Sequence, residues 1–581
     1  MTAPPASLCG VDRAARRRWV EVPCDEAVAA QLAADLKLHP LAARVLACRG
    51  FESAAQAEAF LSARIADLPD PFTMKGMDAA VARLARAIDA GEPIGLYGDY
   101  DVDGVTSTSL LASFLRGCGV EPVTYVPHRL VEGYGLNTGA VKKLAADGVR
   151  LLVTLDCGIT SVEEVAAAAA LGVDTVVVDH HTVPVELPAA AAILNPHQPG
   201  CGYPYPHLAA VGVTFCLCMA LRRRLREAGR FGAARPEPNL KDALDLVALG
   251  TVADVVPLTG VNRILVREGL PMIARTKRPG LRALKRVAGV ADADVTAGQV
   301  GFRLGPRINA AGRLDDASRG VRLLLTSDAA EADRLATELD QENRARQEIE
   351  RQMLEEALAD AAARVSEGAR GLVLARDGWH PGVVGIVASR VVEKFHRPAV
   401  LVGLADGVGK GSGRSIEGFH LYDALAACSP HLARFGGHKH AAGVTIEPAA
   451  IPSFREAFER HAAERLADDD LVPRCRIEGW LTATGGHEQA AQALERLAPF
   501  GAGHPEPVFG LRARPTSVRT VGATGAHLRV RFGPGVEAIG FGMGEIADRC
   551  GGEVEAAVTV GFDEWGGVRR VQLKLRDLRA A

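Results

Sequence analysis

Gly98-Asp99-Tyr100-Asp101-Val102-Asp103-Gly104 is the stretch on which the reading of this chain turns. Three aspartates stand at alternate positions within it. The apolar run Ile94-Gly95-Leu96-Tyr97 precedes them and reads as a buried strand, and Thr106-Ser107-Thr108-Ser109-Leu110-Leu111 follows as the start of a helix. Carboxylates this close repel one another and are tolerated where they meet cations or water. A strand end that aims three hard oxygen ligands at one point suits a divalent cation. The same residues suit a solvated acidic turn, and the stretch alone does not choose between the two.

Working outward, the pattern repeats. The run at 123–126 leads into Pro127-His128-Arg129, the run at 151–155 into Asp156-Cys157-Gly158, and the run at 175–178 into Asp179-His180-His181. Helical segments lie between them, at 138–146 and 162–171, with another before them at 77–90. This β-α alternation predicts a mostly parallel sheet covered by helices, with its site beyond the carboxyl ends of the strands. Three strand ends then carry aspartate toward one rim. After a helical segment at 242–249, Asp254 sits among apolar neighbours, where a carboxylate needs a cation, a donor or a capping role.

The bulk numbers set limits. The 581 residues are 48% hydrophobic, enough for several domains with cores of their own. A formal net charge of −3 gives no global sign of nucleic-acid binding, so any basic surface is local. The eleven cysteines form no Cys-x-x-Cys pair, and Cys216 and Cys218 stand too close for a zinc knuckle; reduced thiols in a cytosolic protein are expected. Arg13, Arg16, Arg17 and Arg18 are not followed by an apolar run, so no signal peptide is read there. The longest apolar run, 208–221, is too short to span a bilayer and reads as a buried helix.

Further along, 275–286 is rich in Arg and Lys and reads as a solvated helix face. Gly301-Phe302-Arg303-Leu304-Gly305-Pro306-Arg307-Ile308-Asn309-Ala310-Ala311-Gly312-Arg313 reads as a loop. Its small residues let the backbone approach a ligand, and Arg307 and Arg313 fork onto phosphate oxygens; a tight interdomain loop fits as well. From Asp328 a long helical pattern runs to about 365 with a polar centre, as in helices that bridge domains. A second α/β unit follows, with strands at 371–375 and 398–402 and a turn opening a helix at 379–390. It carries two Gly-rich loops, at 409–415 and 435–443, each offering N–H groups and cations to an anion. After Asp468-Asp469-Asp470, read as a linker, short strand-like runs separated by glycine turns suggest a small barrel, with an OB-fold the expectation.

These motifs, in this order, resemble those of the DHH phosphoesterase superfamily and, within it, the RecJ family of single-strand exonucleases. The resemblance is carried by the 98–104 stretch, Asp156-Cys157-Gly158, the signature Asp179-His180-His181, Ala253-Asp254, Arg307-Ile308-Asn309-Ala310-Ala311-Gly312-Arg313 and Gly436-Gly437-His438-x-x-Ala441-Ala442-Gly443. It spans roughly residues 94 to 445. The fold class expected is α/β: a parallel-sheet DHH domain at 68–327 behind a lead-in at 1–67, a connecting helix at 328–365, a second α/β DHH-associated domain at 366–467, and an OB-fold-like β-barrel at 471–581.

The resemblance implies a 5′→3′ exonuclease specific for single-stranded DNA. It would release 5′-mononucleotides with two Mn²⁺ or Mg²⁺ ions about 4 Å apart. Asp99, Asp101, Asp103, Asp156, His180 and Asp254 match the family's metal positions, with Asp156 as the bridge. Asp179 is expected to orient a ligand and His181 to meet the scissile phosphate. Arg129, Arg307, Ser412 and Arg414 are candidates for holding the 5′ phosphate, Arg313 another phosphate contact, with Asn309, His380, Arg390 and His438 beside them. The expected setting is a cytoplasmic monomer with no membrane role, partnered by a single-strand-binding protein and a repair helicase. Three other readings differ. Another DHH phosphoesterase would act on short oligonucleotides or cyclic dinucleotides. A haloacid-dehalogenase-like phosphatase would use Asp101-x-Asp103, but leaves Asp179-His180-His181 without a role. A non-catalytic single-strand binder would not need the acidic cluster.

Overall fold

The computed structural model describes residues 17–581 apart from 130, 131, 134, 315, 484, 534, 566 and 567, so Arg13 and Arg16 of the N-terminal cluster lie outside the described residues. The chain divides into two compact units. The first comprises residues 59–344 with 498–506; the second comprises the residues up to 58 with 345–497 and 507–581.

The first unit is built on a five-stranded sheet in the order Val123–Tyr125, Ile94–Gly98, Leu151–Leu155, Asp174–Val178, Ala192–Leu194, with every neighbouring pair parallel. The last of these strands was not legible in the sequence. Every residue of Ile94–Gly98 and Leu151–Leu155 is buried, as strands covered on both faces require. Helices Met77–Ala90, Val102–Gly117, Thr138–Ala146, Val162–Ala170 and Ala210–Glu227 accompany the sheet. Leu96, Val153, Leu155 and Val176 join one core with helix residues such as Leu84, Leu111 and Leu217. Each such side chain contributes about 2 kcal/mol by leaving water.

Two stretches depart from expectation. The helix after the aspartates begins at Val102, not at 106. Asp101 caps it, accepting from the N–H of Asp103 (2.8 Å) and of Gly104 (3.2 Å). A side chain at Gly104 would lie 2.4 Å from the Asp99 carbonyl oxygen, so only glycine lets the turn close. Residues 301–313 are helical rather than a loop: a π-helical turn, Val300–Leu304, runs into the α-helix Gly305–Leu314. The glycines that suggested a loop are packing sites. A Cβ at Gly312 would meet the Tyr100 carbonyl oxygen at 2.6 Å, and one at Gly305 would meet Ala253 at 3.2 Å.

The helix Ala329–Ser366 carries the chain from the first unit into the second. There a mixed sheet runs in the order Arg434–Gly437, Ala441–Ile446, Val408–Arg414, Ala399–Ala405, Leu372–Asp377, and only the last pair is parallel. The two Gly-rich stretches expected as loops are therefore mostly paired strands. A Cβ at Gly409, Gly411 or Gly413 would crowd Ile446, Val444 or Leu421 respectively, which is why small residues stand there.

The C-terminal region forms a seven-stranded sheet, from Trp480–Leu481 through Phe509–Ala513, Val554–Trp565, Val568–Ala580, Val536–Gly540 and His527–Gly533 to Ser517–Val521. The terminal strands of this order are not paired with each other, so the expected barrel is an OB-like sheet that does not close. Near the N-terminus, Arg18–Glu21 pairs in parallel with Arg474–Ile477, and Arg18 forms an ion pair with Asp469 of the stretch read as a linker. Among the described residues no helix is long and apolar enough to cross a membrane.

Candidate metal centre

The carboxyl ends of three neighbouring strands and the ends of two helices meet at one place. Asp99 follows Ile94–Gly98, Asp156 follows Leu151–Leu155, and Asp179 follows Asp174–Val178; each backbone N–H is tied to the neighbouring strand, on Leu155, Val178 and Leu194 respectively. Asp101 and Asp103 sit at the start of Val102–Gly117, and Asp254 caps the C-terminus of Leu244–Ala253. Asp156 holds a left-handed backbone (φ 65°) beside Gly158 (φ 107°), the kind of strain that turns a strand end sharply. Thr154 Oγ1 secures that turn by donating to the Cys157 carbonyl (2.9 Å).

His180 is the hub. Its Nε2 lies 3.2 Å from Asp156 Oδ1, 3.6 Å from Asp254 Oδ2 and 3.9 Å from Asp103 Oδ2. Burial, then the neighbouring His181, pushes its pKa down to about 4, so the ring is neutral and keeps a lone pair to share. His181 behaves in the opposite way. Burial opposes its charge, but Nδ1 meets Asp179 Oδ1 at 2.7 Å, and that bond with the nearby aspartates raises its pKa. Asp179 is in turn fixed from behind by the N–H groups of His180 (2.7 Å), His181 (3.1 Å) and Ile159 (3.0 Å). With the His181 ring, they outweigh burial and hold it below the usual carboxylate range.

The remaining carboxylates are costly where they stand. Burial and mutual repulsion push Asp99, Asp156 and Asp254 well above the ordinary value and Asp103 up to about 7. Asp103 is partly compensated, because Ala210 and Val211 at the start of Ala210–Glu227 donate their N–H groups to it at 2.6 and 2.9 Å. Asp99 Oδ1 and Asp254 Oδ2 are buried and accept no hydrogen bond. Three overlapping sets each bring ligand atoms within 4.8 Å of one another: Asp99, Asp101 and Asp156; Asp103, His180 and Asp254; and Asp156, His180 and His181. Buried anionic oxygens lacking donors, joined by one neutral imidazole, fit Mn²⁺ or Mg²⁺; no thiolate is among them to favour a softer ion.

A cavity of about 360 Å³ opens on this cluster. It is lined by Asp99, Asp101, Asp156, His181 and Asp254, and by Arg129, Asn309 and Arg313. Tyr100 and Ala253 also line it; both stand in the quoted motifs, but sequence reasoning gave neither a role in the site. The Arg129 guanidinium lies 4.9 Å from the centre of the Tyr100 ring, which orients it by cation–π attraction. Asn309 Oδ1 accepts the Val102 N–H (3.1 Å), pinning the Gly305–Leu314 helix to the aspartate stretch.

The other expected residues lie elsewhere. Arg307 is not on the cavity wall; it forms an ion pair with Asp340 at 2.9 Å. His380, Arg390, Ser412, Arg414 and His438 belong to the second unit. Within it, Arg414 donates to Ser412 Oγ (2.8 Å) and to the Gly413 carbonyl (2.7 Å), and an added Cβ on Gly385 would lie 3.0 Å from both side chains. His380 Nδ1 accepts the Gly382 N–H (3.1 Å), Arg390 pairs with Glu393 (3.1 Å), and His438 occupies the exposed turn between Arg434–Gly437 and Ala441–Ile446.

Comparison with known proteins agrees with this layout. Residues 93–251 match the model of the DHH family N-terminal domain, 368–464 that of the DHHA1 domain, and 477–577 that of the RecJ OB domain. The chain is 42% identical to the single-stranded-DNA-specific exonuclease RecJ of Dickeya dadantii, over 93% of this chain and 96% of that one. It is also similar to crystal structures of RecJ from Thermus thermophilus. With the complex with Mn²⁺ it shares 35% identity at a TM-score of 0.83, over 97% of this chain and 79% of that one. With the complex with Mg²⁺ it shares 34% identity at 0.77, over 97% and 78%.

Proposed function

The chain belongs to the RecJ family of DHH phosphoesterases, and from that premise we propose how its residues divide the work of a metal-dependent exonuclease on single-stranded DNA. The observation that carries this reading is the convergence of aspartates distant in sequence, with orphaned buried oxygens, on one cavity that also presents arginines.

Asp99, Asp101, Asp103, Asp156, His180 and Asp254 would hold two cations, Mn²⁺ or Mg²⁺; Asp156 and His180 each belong to two of the three ligand sets, and Asp156 is taken as the shared ligand because a carboxylate has two oxygens to offer and an imidazole one lone pair. Cations held by these residues would polarise a phosphodiester and lower the pKa of a bound water, so that the hydroxide left after proton loss can attack. Asp179 fixes the His181 ring through Nδ1 and favours its charged form, in which Nε2 also carries a proton that can be donated to a phosphate. Arg129, Asn309 and Arg313 hold the strand, the arginines by forked contacts to phosphate. Ser412, Arg414, His380, Arg390 and His438 are assigned to the 5′ phosphate and nearby backbone; Arg307 can meet a phosphate only by leaving Asp340. The setting we assign is the cytoplasm, on strands unwound by a helicase and covered by single-strand-binding protein.

The test is digestion of 5′- and 3′-labelled single and double strands with Mn²⁺, side by side. The expected outcome is 5′-mononucleotides from single strands only, beginning at the 5′ end, with Asp156→Ala reduced to background. Near-normal release by Asp156→Ala would sink the two-metal assignment. Cleavage of dinucleotides but not of long strands would replace the substrate.

A further inference from the structure

Asp254 reaches the metal centre from an unusual piece of backbone. The next residue, Val255, is left-handed (φ 62°) and 70% exposed. A β-branched residue in that conformation is strained by about 1–2 kcal/mol, and an exposed side chain returns little of it by burial. Such strain persists where the surroundings over-determine the backbone.

The surroundings are supplied by a distant part of the chain. Between the helix His487–Glu495 and the strand Phe509–Ala513, residues 498–506 pack with the first unit rather than the second. The Ala502 carbonyl accepts the Leu258 N–H at 2.8 Å. Arg263, 1% exposed, donates to the carbonyls of Ala498 (2.9 Å), Pro499 (3.3 Å) and Phe60 (3.1 Å), and its guanidinium lies 3.6 Å over the Phe60 ring. Gly501 and Gly503 are close enough to Leu258 and Pro257 that an added Cβ would stand 2.6 and 2.9 Å from their side chains. Tyr205 Oη and Asn262 Nδ2 also donate to the Pro257 carbonyl at 3.1 and 3.0 Å. The turn after Asp254 is thus held by several partners, and 498–506 is one of them.

We infer that residues 498–506 act as a clasp that positions Asp254 for its cation, so that a segment encoded within the OB-like region completes the metal centre. Residues 498–506 neither line the cavity nor belong to any of the ligand sets; they work through Pro257, Leu258 and Arg263. The inference rests on the metal-dependent reading proposed above.

The test is Gly501→Ala in the full-length protein, with Mn²⁺ binding followed by titration calorimetry and strand digestion followed against Mn²⁺ concentration. The added methyl wedges the clasp from Leu258, and the Mn²⁺ dissociation constant is expected to rise about 10-fold, as for other groups that orient metal ligands. At saturating Mn²⁺ the KM for single strands should match the parent's. Adding Leu258→Ala makes room for the methyl and should recover much of the lost affinity. Should Gly501→Ala fail to fold, Arg263→Lys takes its place, since one ammonium cannot serve three carbonyls in that geometry, and the same loss is expected. Unchanged Mn²⁺ affinity in the folded variant, even with a lowered Tm, overturns the clasp. Absence of Mn²⁺ binding by the parent overturns the metal reading instead, so the two failures are distinguishable.

Discussion

Around the all-parallel sheet that contains Ile94–Gly98, charged groups are buried where strand ends and helix ends meet, and Asp99 Oδ1 and Asp254 Oδ2 accept no hydrogen bond among the described residues. In the mixed sheet around Val408–Arg414, the polar groups stand beside partners: Arg414 on Ser412, Arg390 on Glu393, His380 on the Gly382 N–H. The first arrangement destabilises the fold until cations arrive, and binding energy is then available as folding energy. The second is paired within itself, and a phosphate there would have to replace the oxygen partners its arginines already have. On the proposed reading, the chain gives one α/β unit to cations and the other to the phosphates of the strand. The difference lies in which side chains the strand ends leave unsatisfied.

The sharpest way to break that contrast is Asp103→Asn. The amide keeps the volume but can accept from only one of the Ala210 and Val211 N–H groups. Mn²⁺ binding should be lost and activity should fall on the order of 10³-fold, as the loss of several kcal/mol of metal assistance requires. Retained metal affinity in calorimetry would end the contrast. Arg414→Ala probes the other side: binding of 5′-phosphorylated single strands should weaken about 10- to 100-fold, the value of a charge-assisted hydrogen bond, with Mn²⁺ affinity unchanged. A shift in Mn²⁺ affinity would show that the two sheets are not independent.

A smaller effect separates the two by pH. With metal chelated, Asp103 keeps its proton up to about 7, whereas in the unfolded chain it releases it near 3.8. Between those values the folded state binds more protons, so stability should fall as pH rises through the window. Denaturant midpoints at about pH 5 and about pH 7 read this directly, and saturating Mn²⁺ should flatten or reverse the slope, because the carboxylate is then held ionised. The smallest effect belongs to Val255→Gly. Relief of the left-handed strain, less the entropy glycine loses on folding, should leave stability unchanged or raised by up to about 1 kcal/mol in chemical denaturation. A clear loss would show that Val255 makes a contact worth more than its strain.

What the sequence revealed follows from range. Strand ends carrying Asp99, Asp156 and Asp179 were legible because apolar runs and the residues after them are local signals, as was the helix Thr138–Ala146, which Asn137 caps with its own side chain. Glycine misled in two places, at 301–313 and 409–413. There it marks close approach of a distant element rather than a turn: Tyr100 against Gly312, Val444 against Gly411. Asp103 was legible as acidic but not as the acceptor of two N–H groups more than a hundred residues away. Arg307 looked free to bind phosphate because Asp340, its partner, lies on the next long helix. The packing of 498–506 against Leu258 and Arg263 left no local trace, since its hydrogen bonds are made by carbonyls that any residue would supply.

The parallel pairing of Arg18–Glu21 with Arg474–Ile477 also sets an order of synthesis. A ribosome extrudes the first strand long before its partner exists, so the beginning of the chain waits unpaired while the sheet around Ile94–Gly98 has everything it needs nearby. A product cut short before residue 474 would carry all six residues proposed as ligands and yet present a bare β edge. Proteases and aggregation act on such edges. Disposal of an unfinished chain is thereby tied to a strand that finds its partner only after residue 474 has been made.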